Sequence, residues 1–152
     1  MRHLTVSVPV RAPSEFTIAY VTTYFEAPAY RDEAGGQSIV FPLPKAAGGA
    51  SVEKMVRVAL KVHRHRERLV EISWDPIDSE LFPRFHGSFK TNQGEKTSCV
   101  LTLEGEYSPP GGPVGAVFDA VAGSHIARAS LESLAQRVGT AAEDDYRLRI
   151  EM

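Results

Sequence analysis

The most constraining feature of this sequence is the stretch from Leu101 to Ala127, where a strand, a Pro/Gly turn and a helix follow one another. Cys99, Leu101, Leu103 and Tyr107 alternate with Ser98, Thr102, Glu104 and Glu106, with Val100 out of pattern. That period of two marks a strand with one dry and one wet face. Pro109-Pro110-Gly111-Gly112-Pro113 then forces a rigid turn, with Pro113 near the first helical position. Val114 to about Ala141 is rich in Ala and Leu and free of proline, so it reads as a helix of several turns. A helix tied this tightly to a half-buried strand has to lie back across the sheet.

The rest of the chain supplies that sheet. Leu4, Val6, Val8 and Val10 alternate with polar residues, and Pro9 among them suggests an edge or a bulge. The same alternation recurs at Ile39, Phe41 and Leu43, at Val56, Val58, Leu60 and Val62, at Val70, Ile72 and Trp74, and at Phe85, Gly87 and Phe89. Short turns between consecutive strands favour antiparallel pairing, giving an α+β architecture. Ala12-Pro13-Ser14-Glu15 reads as a helix start with Ser14 as N-cap. The segment from Glu15 to Phe25 is β-branched and aromatic enough to suit a strand as well. We divide the chain into one domain over 1–142 and a polar tail over 143–152. In that tail Tyr146, Leu148 and Ile150 alternate, a pattern for fraying or weak strand pairing.

Composition narrows the function. Seventeen basic and nineteen acidic residues give a net charge of −2, without the basic excess that nucleic-acid binding demands. The densest basic run, His63 to Arg68, fits a solvated hairpin tip. The single Cys99 allows no internal disulfide and fits a reducing cytoplasm, which is the expected location. The first residues lack the apolar core of a signal peptide, and no run reaches the ~18 apolar residues of a membrane span.

The side chains on the dry parity of these strands include no acid, lysine, arginine or histidine. Acid–base and nucleophilic catalysis both need a positioned titratable group. This face offers a thiol, a phenol and an indole. A packed core and a dry ligand pocket are both compatible with it. On the long helix, Val114, Phe118, Val121, His125 and Ala129 share one face, while Ala127, Leu131, Leu134 and Val138 lie nearly opposite. If the first stripe meets the sheet, His125 is the one titratable group aimed into the interior.

Other constellations carry less. His63 and His65 share the wet face with no third ligand nearby, so no metal site is expected. Gly111 to Gly115 opens a helix but lacks the lysine and spacing of a phosphate loop. Asp119, Ser124 and His125 crowd one helix, a poor arrangement for a relay.

The stretch Leu101-Thr102-Leu103-Glu104-Gly105-Glu106-Tyr107-Ser108-Pro109-Pro110-Gly111, running into Val114-Gly115, Asp119, Gly123 and Ile126-Ala127, resembles the START-like, or SRPBCC, superfamily of polyketide-cyclase and lipid-transfer type. Ile72-Ser73-Trp74, the segment Phe82 to Phe89 and the opening Val6 to Glu15 extend the likeness over most of the chain. The resemblance implies a helix-grip fold, a curved antiparallel sheet wrapped around the C-terminal helix. It also implies a helix over 15–25 and an apolar cavity lined by Trp74, Phe85, Phe89, Tyr107 and Phe118. Leu101, Leu103, Val121 and His125 complete the expected lining. The superfamily has no universal catalytic motif, so only His125 and Tyr107 are named as candidate acid–base groups. Three readings follow: a carrier of a small apolar molecule with no cofactor, a cyclase or hydrolase of a polyketide-like substrate, and a protein-interaction module of co-chaperone type. The first predicts a cavity of several hundred Å³, on the order usual for ligand sites.

Overall fold

Alternating sequences bury one face and wet the other, so the strands assemble into one sheet whose dry side needs a cover. The computed structural model describes residues 2–27, 37–44, 52–66, 69–76, 84–93, 95–108 and 124–151. In chain order they form β1 (Arg2–Val10), α1 (Ser14–Phe25), β2 (Gln37–Pro44), β3 (Val52–Arg66), β4 (Leu69–Pro76), β5 (Arg84–Gln93), β6 (Cys99–Ser108) and α2 (Ser124–Ile150). The six strands lie in the order β1-β6-β5-β4-β3-β2, and every neighbouring pair is antiparallel. β1 and β2 are therefore the two edges. α1 carries the chain from one edge to the other, and the remaining strands meander back to β1.

The predicted parity holds in every strand where burial is described. Leu4, Val6, Val8 and Val10 are buried, and His3, Thr5, Ser7 and Pro9 between them are exposed. Val100 breaks the pattern of β6 and is 38% exposed. Polar pairs cover the outer face, among them Ser7 with Thr102 at 2.9 Å, His86 with Glu71 at 3.3 Å, and Lys90 with Glu104. The Lys90 hydrogen bond holds the Glu104 carboxyl below its ordinary pKa.

Register explains the curvature. On the inner face Gly87 pairs with Gly105, between a row containing Phe85 and Tyr107 and a row containing Phe89 and Leu103. A Cβ added at Gly87 would collide with the Glu104 carbonyl oxygen and lie 2.5 Å from Cζ of Phe85. One added at Gly105 would collide with the His86 carbonyl oxygen and lie 2.8 Å from that same Cζ. The strands crowd here as a bent sheet must, and the Phe85 ring folds over the gap. The bend lets α2 pack along β1 and also reach β2, at the opposite edge.

α1 is a helix, so the ambiguity over 15–25 resolves as the family resemblance implied. Thr17, Ile18, Val21 and Phe25 are buried at helical spacing. Ser14 is not its N-cap. Pro13 holds that position, and its carbonyl accepts the first helical bond from the Thr17 amide at 2.9 Å. The Ser14 hydroxyl instead donates to Thr91 Oγ1 at 2.7 Å, tying the helix to β5. One turn on, Cys99 Sγ donates to Thr17 Oγ1 at 3.4 Å. Burial pushes the Cys99 thiol above its ordinary value of 9.0, and the Thr17 bond offsets part of that rise.

α2 does not end near Ala141, and residues 143–150 neither fray nor pair as a strand. They form its last two turns. Arg147 bonds Asp144 at 2.8 Å and Arg149 bonds Asp145 at 2.9 Å, pairs three and four residues apart that support a helix. Tyr146 packs on Phe16 of α1 at a ring distance of 5.2 Å, and the Arg149 guanidinium sits 5.8 Å over the same ring. The predicted N-terminal part of this helix, from Val114 to Gly123, and the Pro/Gly turn lie outside the described residues.

Two outcomes follow. Gly105→Ala or Gly87→Ala should cost about 2–3 kcal/mol in urea unfolding, because backbone has to move, whereas Ser88→Ala on the outer face should change stability by under about 0.5 kcal/mol. Native Cys99 should react with iodoacetamide at least about tenfold more slowly than the denatured chain at mildly alkaline pH. Because its folded pKa is raised, the stability it contributes is complete below the unfolded value of 9.0 and is lost as pH rises through the folded one.

Candidate functional site

The expected ligand-binding residues of the sheet fall on three adjacent strands. Trp74 of β4 is register partner of Phe85 on β5, which is partner of Tyr107 on β6. Leu60 extends the row on β3. Two rows away Phe89 pairs with Leu103, and beyond it Thr91 pairs with Leu101. All six predicted residues, Trp74, Phe85, Phe89, Leu101, Leu103 and Tyr107, point inward and are buried. The structure thus brings them onto one continuous wall.

That wall has two chemically distinct halves. Around Thr91 and Cys99 it is closed, because α1 lies on it through the two hydroxyl contacts. Toward the middle, Phe25 of α1 approaches Phe89 with a ring distance of 6.2 Å. The far half is aromatic. The Trp74 indole stacks on the Phe85 ring at 4.5 Å with planes 27° apart, and Phe85 in turn covers Gly87 and Gly105. Trp74 and Phe85 are 2% and 3% exposed, so this stack is buried in the interior. Tyr107 joins it as the one phenol among the residues of the row.

The helix side of the expected site is described only in part. Phe118 and Val121 lie outside the described residues. His125 falls in the first turn of α2, and its side chain is outside the described ones. Farther along α2 the buried stripe is Ala127, Leu131, Leu134, Ala135, Val138 and Ala142, while Ala129, on the His125 stripe, is exposed. At Gly139 the helix packs closely on β1, and an added Cβ would sit 3.1 Å from a Val10 methyl.

Sequence reasoning overlooked α1 as part of the wall. Ile18, Val21 and Phe25 recur three and four residues apart, which was the available signal. Their β-branched and aromatic character masked it. Among the described residues no group of three or more His, Cys, Asp or Glu side chains is arranged to hold a metal ion. No helix among them is long and apolar enough to cross a membrane.

No protein-family model matches the sequence, and no curated protein matches it. Solved structures do match the fold. The protein TTHA0849 from Thermus thermophilus superposes with a TM-score of 0.62 at 14% identity, over 93% of this chain and 97% of that one. The Zhui aromatase/cyclase from Streptomyces sp. R1128 gives 0.51 at 13% identity, over 94% and 89%. The di-domain ARO/CYC StfQ of the steffimycin biosynthetic pathway gives 0.55 at 17% identity, over 96% of this chain and 47% of that one, so this chain spans about half of it. At such identities the likeness is one of fold. With its six-stranded antiparallel sheet curved around a long C-terminal helix, the chain shares the helix-grip fold of these structures.

Proposed function

We propose that this chain binds and carries a small apolar molecule, lipid- or polyketide-like, between the inner face of the sheet and its helices. The observation behind this reading is the chemistry of that face. From Val70 on β4 to Tyr107 on β6, every inward side chain whose burial is described is aliphatic, aromatic, a glycine, a hydroxyl or a thiol. Such a surface gains by burying apolar area and has few polar tips with which to fix orientation. In this reading Trp74, Phe85, Phe89, Leu101, Leu103 and Tyr107 form the sheet wall, and Phe118, Val121 and His125 complete it from the helix side.

A second reading is a cyclase-type enzyme working in the same space. Its support is that the Zhui protein, described as an aromatase/cyclase, and StfQ, described as a di-domain ARO/CYC, share the fold. It requires Tyr107 or His125 to move a proton, because the rest of the wall has no group suited to that role.

Native mass spectrometry of freshly purified protein should reveal a co-purifying small molecule, recoverable by solvent extraction. Trp74 is the only tryptophan, so its emission reports directly on the aromatic half of the wall. Titration with a fatty acid, a sterol and a polycyclic aromatic should shift that emission for at least one of the three. Phe85→Ala should weaken the same uptake by about tenfold or more, the scale of a truncated aromatic anchor, with circular dichroism confirming the fold. No adduct and no emission change with any probe would sink the carrier reading. For the enzyme reading, Tyr107→Phe or His125→Ala should lower turnover on a polyketide-like substrate by about a hundredfold; turnover unchanged in both variants would remove it.

A further inference from the structure

A second concavity lies at the other end of the sheet. Arg11 follows β1 directly, whereas the aromatic row meets β1 at Arg2, so the two places are separated by the 9-residue length of that strand, about 30 Å at the usual strand rise. The cleft has a volume of about 580 Å³ and forms where the β1–α1 junction, the β5–β6 turn and the last two turns of α2 meet. Glu143, Tyr146, Arg147 and Ile150, spaced three and four apart, turn one face of α2 into it.

Its charges are sorted. Two arginines and two glutamates line it, so their formal charges cancel. Glu143 is engaged, since its Oε1 accepts the Arg11 backbone N–H at 2.8 Å. Arg147 is engaged with Asp144. The Arg11 guanidinium and the Glu95 carboxylate are different: among the described residues, neither has a hydrogen-bond or ion-pair partner, including each other. Tyr146 and Ile150 add an apolar strip to the lining, the latter 64% exposed. The hydroxyls of Thr97 and Ser98 add neutral donors on the turn side.

We propose that this cleft binds a short peptide in its zwitterionic form, its carboxylate on Arg11, its ammonium on Glu95 and an apolar side chain on Tyr146 and Ile150. A simple anion would meet two carboxylates in the same cleft, and a simple cation two guanidinium groups. A molecule carrying both signs at its ends satisfies both free side chains at once. The volume exceeds that of one amino acid and suits two or three residues, within the usual range for small-molecule sites. The charged groups are exposed and screened, so the affinity belongs near the millimolar range.

The test is a ¹⁵N chemical-shift titration of the full chain with leucyl-leucine to about 10 mM, repeated with its N-acetylated, C-amidated form. Saturable shifts at the amides of Arg11, Ser98 and Tyr146 are expected, with binding of the capped form weaker by about tenfold or more. Arg11→Gln and Glu95→Gln should each weaken the zwitterion by about tenfold while the rest of the spectrum stays in place. Equal binding of the capped peptide, indifference to both substitutions, reproduction of the shifts by acetate alone, or absence of saturable shifts would each overturn the proposal. Shifts confined to the surroundings of Trp74 and Phe89 would do so too, because they place the peptide on the apolar wall.

Discussion

A six-stranded sheet left flat could not offer both its edges to one helix. Here the crowding of Gly87 against Gly105 supplies the bend, and the Phe85 ring laid over the pair fills the space that two missing side chains leave. The aromatic part of the wall is built around that contact. The contact turns the sheet so that α2 packs along β1 and still reaches β2. The Phe85 ring lies over the two glycines and carries the stacked Trp74. The same two glycines therefore shape the backbone and orient the aromatic part of the wall. Replacing either with a larger residue would disturb fold and site together.

The two ends of the sheet are covered by different means. At the β5–β6 turn, α1 is held by hydroxyls and a thiol: Ser14 to Thr91 and Thr17 to Cys99. Buried polar groups of this kind are satisfied only in one register of helix on strand, so they fix where α1 sits as apolar contacts alone would not. At the other end the wall is aromatic, and its contacts are non-directional.

Much of this is legible in the sequence. A period of two assigns the inner face correctly wherever burial is described, including the exception at Val100, because a strand's side chains have no choice but to alternate. Trp74, Phe85 and Tyr107 each fall on the wall by parity, though their common row is not visible: register depends on turns and on pairing between strands far apart in the chain. The misreadings share a cause. Type and position make Ser14 look like a cap, but its hydroxyl is drawn to a tertiary partner, Thr91. Polar composition makes the last two turns of α2 look like a tail. Beyond the local pairs Asp144–Arg147 and Asp145–Arg149, what docks them is Phe16, a residue far away in the chain. Short-range pattern cannot see such a partner.

Pro9 lies in β1, an edge strand. The opposite edge, β2, carries Pro42 and Pro44. A proline offers no N–H to an incoming strand, so both borders of the sheet interrupt the ladder that another strand would have to build. Each edge strand thus lacks at least one of the donors that an added strand would use. Proline in both edge strands is one of the devices by which a sheet of this size disfavours edge-to-edge pairing.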